Sequence, residues 1–203
     1  MRIETIGVIG ANPLGREIAL AALLGGYRVV LEDVSREMLE KGIAHIEKSL
    51  EGRAAQHELS QQERESAIAR FSTANQADEV CRMADMLIET VPEEMEVKLE
   101  IFTIFDKFAK PGAILASNTS LSITEIASIT FRTEAFIGMR FANGTPGPAF
   151  IKLVLGVETS QATLATCLEV VGRMGMEASI AKESYGASEV DKNAILCVKG
   201  QAE

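Results

Sequence analysis

The stretch IGVIGANPLGREIALAALLGGYRVVLED, Ile6 to Asp33, decides how this chain is read. Ile6, Val8 and Ile9 make a short apolar run that stops at Gly10, as a buried parallel strand does. The turn Gly10-Ala11-Asn12-Pro13-Leu14-Gly15 follows, and then an alanine- and leucine-rich helix to about Leu24. Gly25-Gly26 stops that helix, and Tyr27 to Leu31 forms a second apolar run closed by Glu32-Asp33. Strand, tight turn, helix, strand and acid is the order of a dinucleotide-binding βαβ unit. Asp33 stands where a ribose 2′-hydroxyl needs an acceptor.

The turn departs from G-x-G-x-x-G at its middle glycine, which is Asn12. The first glycine makes the turn and the last lets helix and strand pack closely; Gly10 and Gly15 supply both. A side chain at the middle position threatens the approach of a pyrophosphate. Asn is the mildest replacement if a left-handed conformation is needed there. Pro13 suits a first helical position, where its missing N–H had no partner. The expected cofactor contacts in this unit are Gly10, Ala11, Asn12, Leu14, Gly15 and Asp33.

Composition bounds the rest. A chain of 203 residues, 47% hydrophobic, can bury one substantial core. A formal charge of −9 argues against nucleic acid or an anionic membrane surface as partner. Cys81, Cys167 and Cys197 are odd in number and show no CxxC, which suits a reducing cytoplasm. Met1 leads almost directly into the first strand, leaving no expected signal peptide, and no apolar run is long enough to span a bilayer.

Beyond Asp33, Ser35 is placed to cap a helix with Met38, Leu39, Ile43, Ile46 and Leu50 on one face. A second, densely charged helix over about Ser60 to Ala69 begins at another serine. The two are expected to project as an arm, residues 35–70. His45 and His57 lie in it and read as solvated helix-surface residues, with no metal site implied. Short strands are expected at Arg70–Thr73, Met86–Ile88, Ala113–Ala116, Phe136–Met139, Ile151–Val154 and Glu177–Ala181. The helix from about Glu94 to Ala109 should pack Val97, Ile101, Ile104, Phe105 and Phe108 on the sheet. Ser117-Asn-Thr-Ser120 lies just past the carboxyl end of a strand, where open α/β sheets hold their ligands. The whole reads as an α/β, Rossmann-type, doubly wound and mostly parallel sheet over residues 1–186, followed by a short tail, 187–203.

Several segments together carry a more specific likeness. VIGANPLG (8–15), VVLED (29–33), ETVPEEMEVKLEIF (89–102), ILASNTSLSI (114–123), GMRFAN (138–143), IKLV (151–154) and ESYG (183–186) occur in order and spacing. The chain resembles the N-terminal NAD-binding domain of the L-3-hydroxyacyl-CoA dehydrogenases nearly throughout. The resemblance implies that Asp33 holds the adenosine ribose of NAD and that Glu93 and Lys98 lie near the cofactor. It implies Asn143 beside the nicotinamide, Ser120 on the 3-oxygen of the substrate, and Ser49 on the CoA part of an acyl-CoA. The basic residue the family places further along the arm is Gln56 here, with Arg53 nearby. Without the likeness, Ser120 and Asn143 would read as loop caps and Lys98 as a solvated helix face.

The departures fall on the chemistry. The family removes the hydroxyl proton with a histidine that a glutamate orients. By resemblance the histidine position is Arg140, and the glutamate position, after Lys152-Leu-Val, is Leu155. The loop between them is longer and richer in glycine and proline than the family's. Arginine is no general base near neutrality, because its pKa lies above 12. It reads either as a solvated or ion-paired residue or as a carboxylate or phosphate clamp. The helical second domain of the family also has no counterpart before Glu203.

Three readings remain open: an NAD-dependent dehydrogenase of fatty acyl-CoA metabolism with impaired activity, a non-catalytic NAD(H)- or acyl-CoA-binding pseudoenzyme, and an interaction domain. A homodimer or a partner subunit is expected, with Ile195, Leu196 and Val198 of the tail as candidate contacts.

Overall fold

The computed structural model describes residues 2–141 and 150–183. Asn143, the loop around it and the tail lie outside those residues. Strands β1 (Thr5–Ile9), β2 (Arg28–Glu32), β3 (Phe71–Ala74), β4 (Met86–Glu89), β5 (Ile114–Ser117), β6 (Phe136–Phe141), β7 (Phe150–Leu155) and β8 (Glu177–Lys182) form one sheet in the order β3-β2-β1-β4-β5-β6-β7-β8. The first six in sequence pair parallel, whereas β7 runs antiparallel to β6 and parallel to β8. The reversal of strand order falls between β1 and β4, so the ligand crevice opens at their carboxyl ends.

Helices cover both faces, which is why β1, β4 and β5 read as unbroken apolar runs rather than alternating ones. Helices α1 (Pro13–Leu24), α2 (Arg36–Ala55) and α7 (Gln161–Arg173) pack on one face, burying Ile18, Leu23, Ile46, Leu50, Cys167 and Val171 with Ile6, Val8 and Ile88. On the other face α4 (Ala77–Met83), α5 (Met95–Phe108) and α6 (Ile123–Ala127) bury Val80, Phe102, Phe105 and Ile126 with Leu87, Leu115 and Phe136.

The buried stripe of α5 is rotated from the expected one. It runs through Lys98, Phe102, Phe105 and, just beyond the helix, Ala109, while Val97, Ile101, Ile104 and Phe108 flank it half-buried. The rotation has a physical cause. Phe102 packs edge-on against Phe105 and tilted against Phe136 of β6, centroids 5.1 and 4.5 Å apart, filling the space over the sheet.

The arm consists of α2 and α3 (Gln61–Ala69). Ser35 caps α2, and Ser60 with Glu63 makes a reciprocal capping box on α3. Its inner side is apolar: Leu39, Ile46, Leu50 and Ala67 join the core beside α1, and Arg70 donates to the Leu23 carbonyl at 3.1 Å. The two histidines differ. His45 is half-buried with Nε2 3.0 Å from Glu17 Oε1 of α1. His57 is exposed and lies past the end of α2 at φ +60°, a turn residue rather than a helical one.

Candidate functional site

The β1–α1 turn is built by contact between two glycines. Gly10 has φ +101°, a conformation that L side chains rarely adopt. A Cβ on Gly15 would lie 1.9 Å from the Gly10 carbonyl oxygen, so no side chain fits there. Asn12 has φ −68° and ψ 172°, ordinary extended backbone, so its position needs no left-handed residue. Its side chain folds inward. Oδ1 accepts the Gly15 N–H at 2.9 Å, capping α1, and Nδ2 donates to the Thr90 carbonyl at 2.6 Å. The turn thereby keeps its shape without the middle glycine.

Asp33 ties this turn to the next one. Oδ2 accepts the Ala11 N–H at 2.9 Å and Oδ1 accepts the Ser35 N–H at 2.8 Å. Each oxygen retains a lone pair for a further donor. Among the described residues the N–H groups of Asn12 and Leu14 have no partner, and they sit at the positive end of α1. Two free donors, a turn that admits close approach and a carboxylate beyond the next strand fit a dinucleotide.

Beside Asp33, Glu32 is only 4% exposed, and its side chain lies on the α4 face with Val30. Burial, reinforced by the neighbouring charge of Asp33, pushes its carboxyl up to about 7. The strand pattern suggested only a polar closing residue here.

The other half of the crevice is organised by Lys98. Its ammonium is fully buried and donates to Glu89 Oε1 at 2.8 Å, with the Asn118 and Val91 carbonyls at 3.4 and 3.5 Å and Glu93 Oε2 at 3.4 Å. The solvated helix face is thus overturned as a reading of Lys98. Ser117 donates to the second oxygen of Glu89 at 2.7 Å. Burial pushes the Glu89 carboxyl up, against the pull of Lys98 and Ser117. Glu93 accepts from Thr119 Oγ1 at 2.8 Å, from Ser120 Oγ at 2.7 Å and from the Ser120 N–H. Against the effect of burial, these bonds and Lys98 hold its carboxyl below the usual range. Ser120 is exposed at the crevice, its hydroxyl committed to Glu93.

Arg140 reaches the same loop, its guanidinium donating to the Ser120 carbonyl at 3.2 Å. Directly across the β6–β7 ladder stands Lys152, not Leu155. Leu155 is buried three residues further along β7, beyond the Gly138–Val154 pair and level with the start of β6. It cannot face Arg140, and the expectation that it replaces an orienting acid there is corrected. Antiparallel pairing carries β7 away from the crevice, so the β7 residue directly opposite Arg140 is Lys152. Ser49, in the second half of α2, is half-buried and belongs to the arm rather than to this cluster. Asn143 lies outside the described residues.

Several contributors escaped the sequence reading. Thr90 holds the Ile9 carbonyl at 3.0 Å and receives Asn12, yet a threonine after a strand carries no signal of that. Asn118 Oδ1 accepts the Phe141 N–H at 3.1 Å, fixing the end of β6 against the β5 loop. Glu183 reaches back to accept the Ile123 and Thr124 N–H groups at 2.8 and 2.9 Å, a cap supplied from sixty residues away.

Fold and crevice together define a Rossmann-type nucleotide-binding domain of dehydrogenase kind. The chain belongs to the 3-hydroxyacyl-CoA dehydrogenases, whose NAD-binding domain matches residues 5–184. It is 36% identical over 182 residues to a 3-hydroxybutyryl-CoA dehydrogenase of Bradyrhizobium diazoefficiens, covering 89% of this chain and 62% of that protein. Against the mitochondrial hydroxyacyl-coenzyme A dehydrogenase of Sus scrofa the identity is 32% over 191 residues, covering 91% of this chain and 60% of that one. The crystal structure of (S)-3-hydroxybutyryl-CoA dehydrogenase from Ralstonia eutropha superposes with a TM-score of 0.84 at 33% identity, over 95% of this chain and 67% of that chain. The chain therefore spans about three fifths of the length of these relatives. Its cofactor is NAD. No helix among the described residues is long and apolar enough to cross a membrane.

Glu32 gives a pH test of this architecture. The unfolded chain releases its proton near the ordinary glutamate value of about 4.3. The folded state holds the proton to about 7. Between these values the native state binds more protons, so its contribution to stability is fully present below the lower value and is lost as pH rises through the upper. Glu32→Gln should therefore gain on the parent as pH rises, by about 3 kcal/mol at pH 8 relative to pH 4. Urea melts across that range check it, and a gap that does not widen with pH refutes the assignment.

Proposed function

We propose that this chain binds NAD(H) as a 3-hydroxyacyl-CoA dehydrogenase-like domain of acyl-CoA metabolism and contributes little proton transfer of its own. Arg140 carries the reading: a permanently protonated group occupies the position where the resemblance implies a histidine base, and its fork is engaged with the Ser120 carbonyl. Bound NAD would accept or donate hydride at its nicotinamide. The chain's own part is to cradle the pyrophosphate with the Asn12 and Leu14 N–H groups, to receive the ribose with Asp33, and to present Ser120. Asn143 is proposed beside the nicotinamide, and Ser49 on the CoA of an acyl-CoA ligand. A non-catalytic binding role is the second reading, and the same cation favours it. A reducing, cytoplasmic setting belongs to the proposal. Buried Cys81 and Cys167 suit it, since burial pushes both thiols up to about 12 and leaves them inert.

Calorimetry should show NADH binding more tightly than NADPH. The Asp33 carboxylate accepts from a 2′-hydroxyl and repels a 2′-phosphate. Tighter NADPH binding would reverse the assignment.

Oxidation of 3-hydroxybutyryl-CoA with saturating NAD should proceed far below 1 s⁻¹, about the lower end of ordinary turnover. A positioned base typically contributes 10²–10⁴-fold, and no such group stands at Arg140. Arg140→His combined with Lys152→Glu should raise NADH formation, because the glutamate would then lie directly across from the imidazole. Parent turnover of several per second would mean that another residue acts as base.

Assembly with a second copy or a partner subunit is proposed too, supported by Phe131, which is 99% exposed, and half-exposed Ile129 beside it. Sedimentation at tens of micromolar should give a dimer that Phe131→Ser weakens; a monomeric parent chain would overturn self-association.

A further inference from the structure

A sheet does not ordinarily place two cations directly opposite each other. Arg140 and Lys152 are a register pair of the β6–β7 ladder, so their side chains leave the same face of the sheet. Cβ atoms of such pairs stand about 5 Å apart, and like charges there are destabilising. Strand pairing therefore gives no reason for this arrangement.

Among the described residues every ion pair involves other groups, and neither Arg140 nor Lys152 takes part in one. Glu177, diagonal to Lys152 on β8, makes no ion pair with it, and the residue of β8 directly beside Lys152 is the neutral Ser179. Glu93, on the loop after β4 that holds Ser120, is committed to Thr119, Ser120 and Lys98. The connecting segment Ala142-Asn-Gly-Thr-Pro-Gly-Pro-Ala149 carries no acid. Arg140 Nε is buried without an acceptor. A buried guanidinium N–H left unpaired is costly.

We propose that Arg140 and Lys152 form a binding site for the carboxylate of a small organic acid at the crevice edge beside Ser120. This deepens the proposed function and rests on it only for the placement of the crevice. Arginine's planar fork matches a carboxylate through two parallel hydrogen bonds, and lysine adds a movable point charge. The bond from Arg140 to the Ser120 carbonyl aims the fork at the loop where the resemblance puts the substrate's 3-oxygen. The ligand class is thus an acid whose free carboxylate lies where an acyl-CoA would present its reacting carbon.

Titration of the full chain by NMR with malonate, and separately with inorganic phosphate, tests this. Malonate should bind in the millimolar range or tighter, weakening as salt rises. Arg140→Met and Lys152→Met should each weaken it about tenfold or more, as loss of one charge-assisted partner predicts. Arg140→Lys, which keeps the charge, should recover part of the loss and controls for folding. NADH affinity, measured on the same samples, should be unchanged in Lys152→Met. Phosphate binding that excludes malonate would overturn the carboxylate assignment. Anion binding that survives Arg140→Met and Lys152→Met, or its absence from the parent chain, would overturn the site. Malonate binding without NADH binding would leave this proposal standing and defeat the dinucleotide reading instead.

Discussion

One ammonium group holds the right-hand side of the crevice together. Lys98, on a helix, reaches under the sheet's carboxyl edge to the last residue of β4, the loop after it and the loop after β5. From those contacts the order spreads outward. Glu93 fixes Ser120, Asn118 fixes the end of β6, and Ser120 receives Arg140. Burying such a charge is worthwhile only where every acceptor is in place. Removing one member of a buried pair typically costs about 3–5 kcal/mol because the other is left uncompensated. The crevice is held on this side by electrostatics, and the buried face of α5 is the one that carries Lys98.

The left side is held differently, by backbone approach and by short side chains that bridge turns. Gly10 and Gly15 touch, Asn12 caps and crosses to Thr90, and Asp33 bonds two turns at once. Here the departure from the glycine pattern is absorbed. On the right, the departure changes chemistry, because no hydrogen bond from Arg140 can stand in for proton removal. A substitution matters in proportion to what its atoms did, and Asn12 and Arg140 stand at opposite ends of that scale.

Much of this was visible in the amino-acid order. Apolar runs, stop signals and the acid after β2 set out the alternating β and α elements, since each depends on neighbours in sequence. The rotated face of α5 was not visible. Lys98 looks like the polar edge of an amphipathic helix until Glu89, nine residues earlier, is brought beneath it. The partner of Arg140 was misplaced for a related reason. Counting from Lys-Leu-Val points to Leu155, but register in an antiparallel ladder is set by where the two strands pair, and that yields Lys152. Glu32 was passed over because burial of a strand's final side chain depends on the helix that covers it.

The retained residues differ in what they can say about ligand. Gly15 is obligatory because its Cβ would strike the Gly10 carbonyl. Lys98 is obligatory once Glu89 is buried, and Asp33 is needed to join two turns. Each would persist in a domain that had ceased to bind NAD, so their presence reports on folding first. The groups without a structural task carry the sharper information. The N–H groups of Asn12 and Leu14 have no acceptor among the described residues, and Arg140 and Lys152 have no counter-charge there. Of these only Arg140 Nε is buried without a partner, and leaving it so costs stability; the others lie open at both ends of the crevice. Anionic groups at both ends, a pyrophosphate at one and a carboxylate at the other, are what would satisfy them.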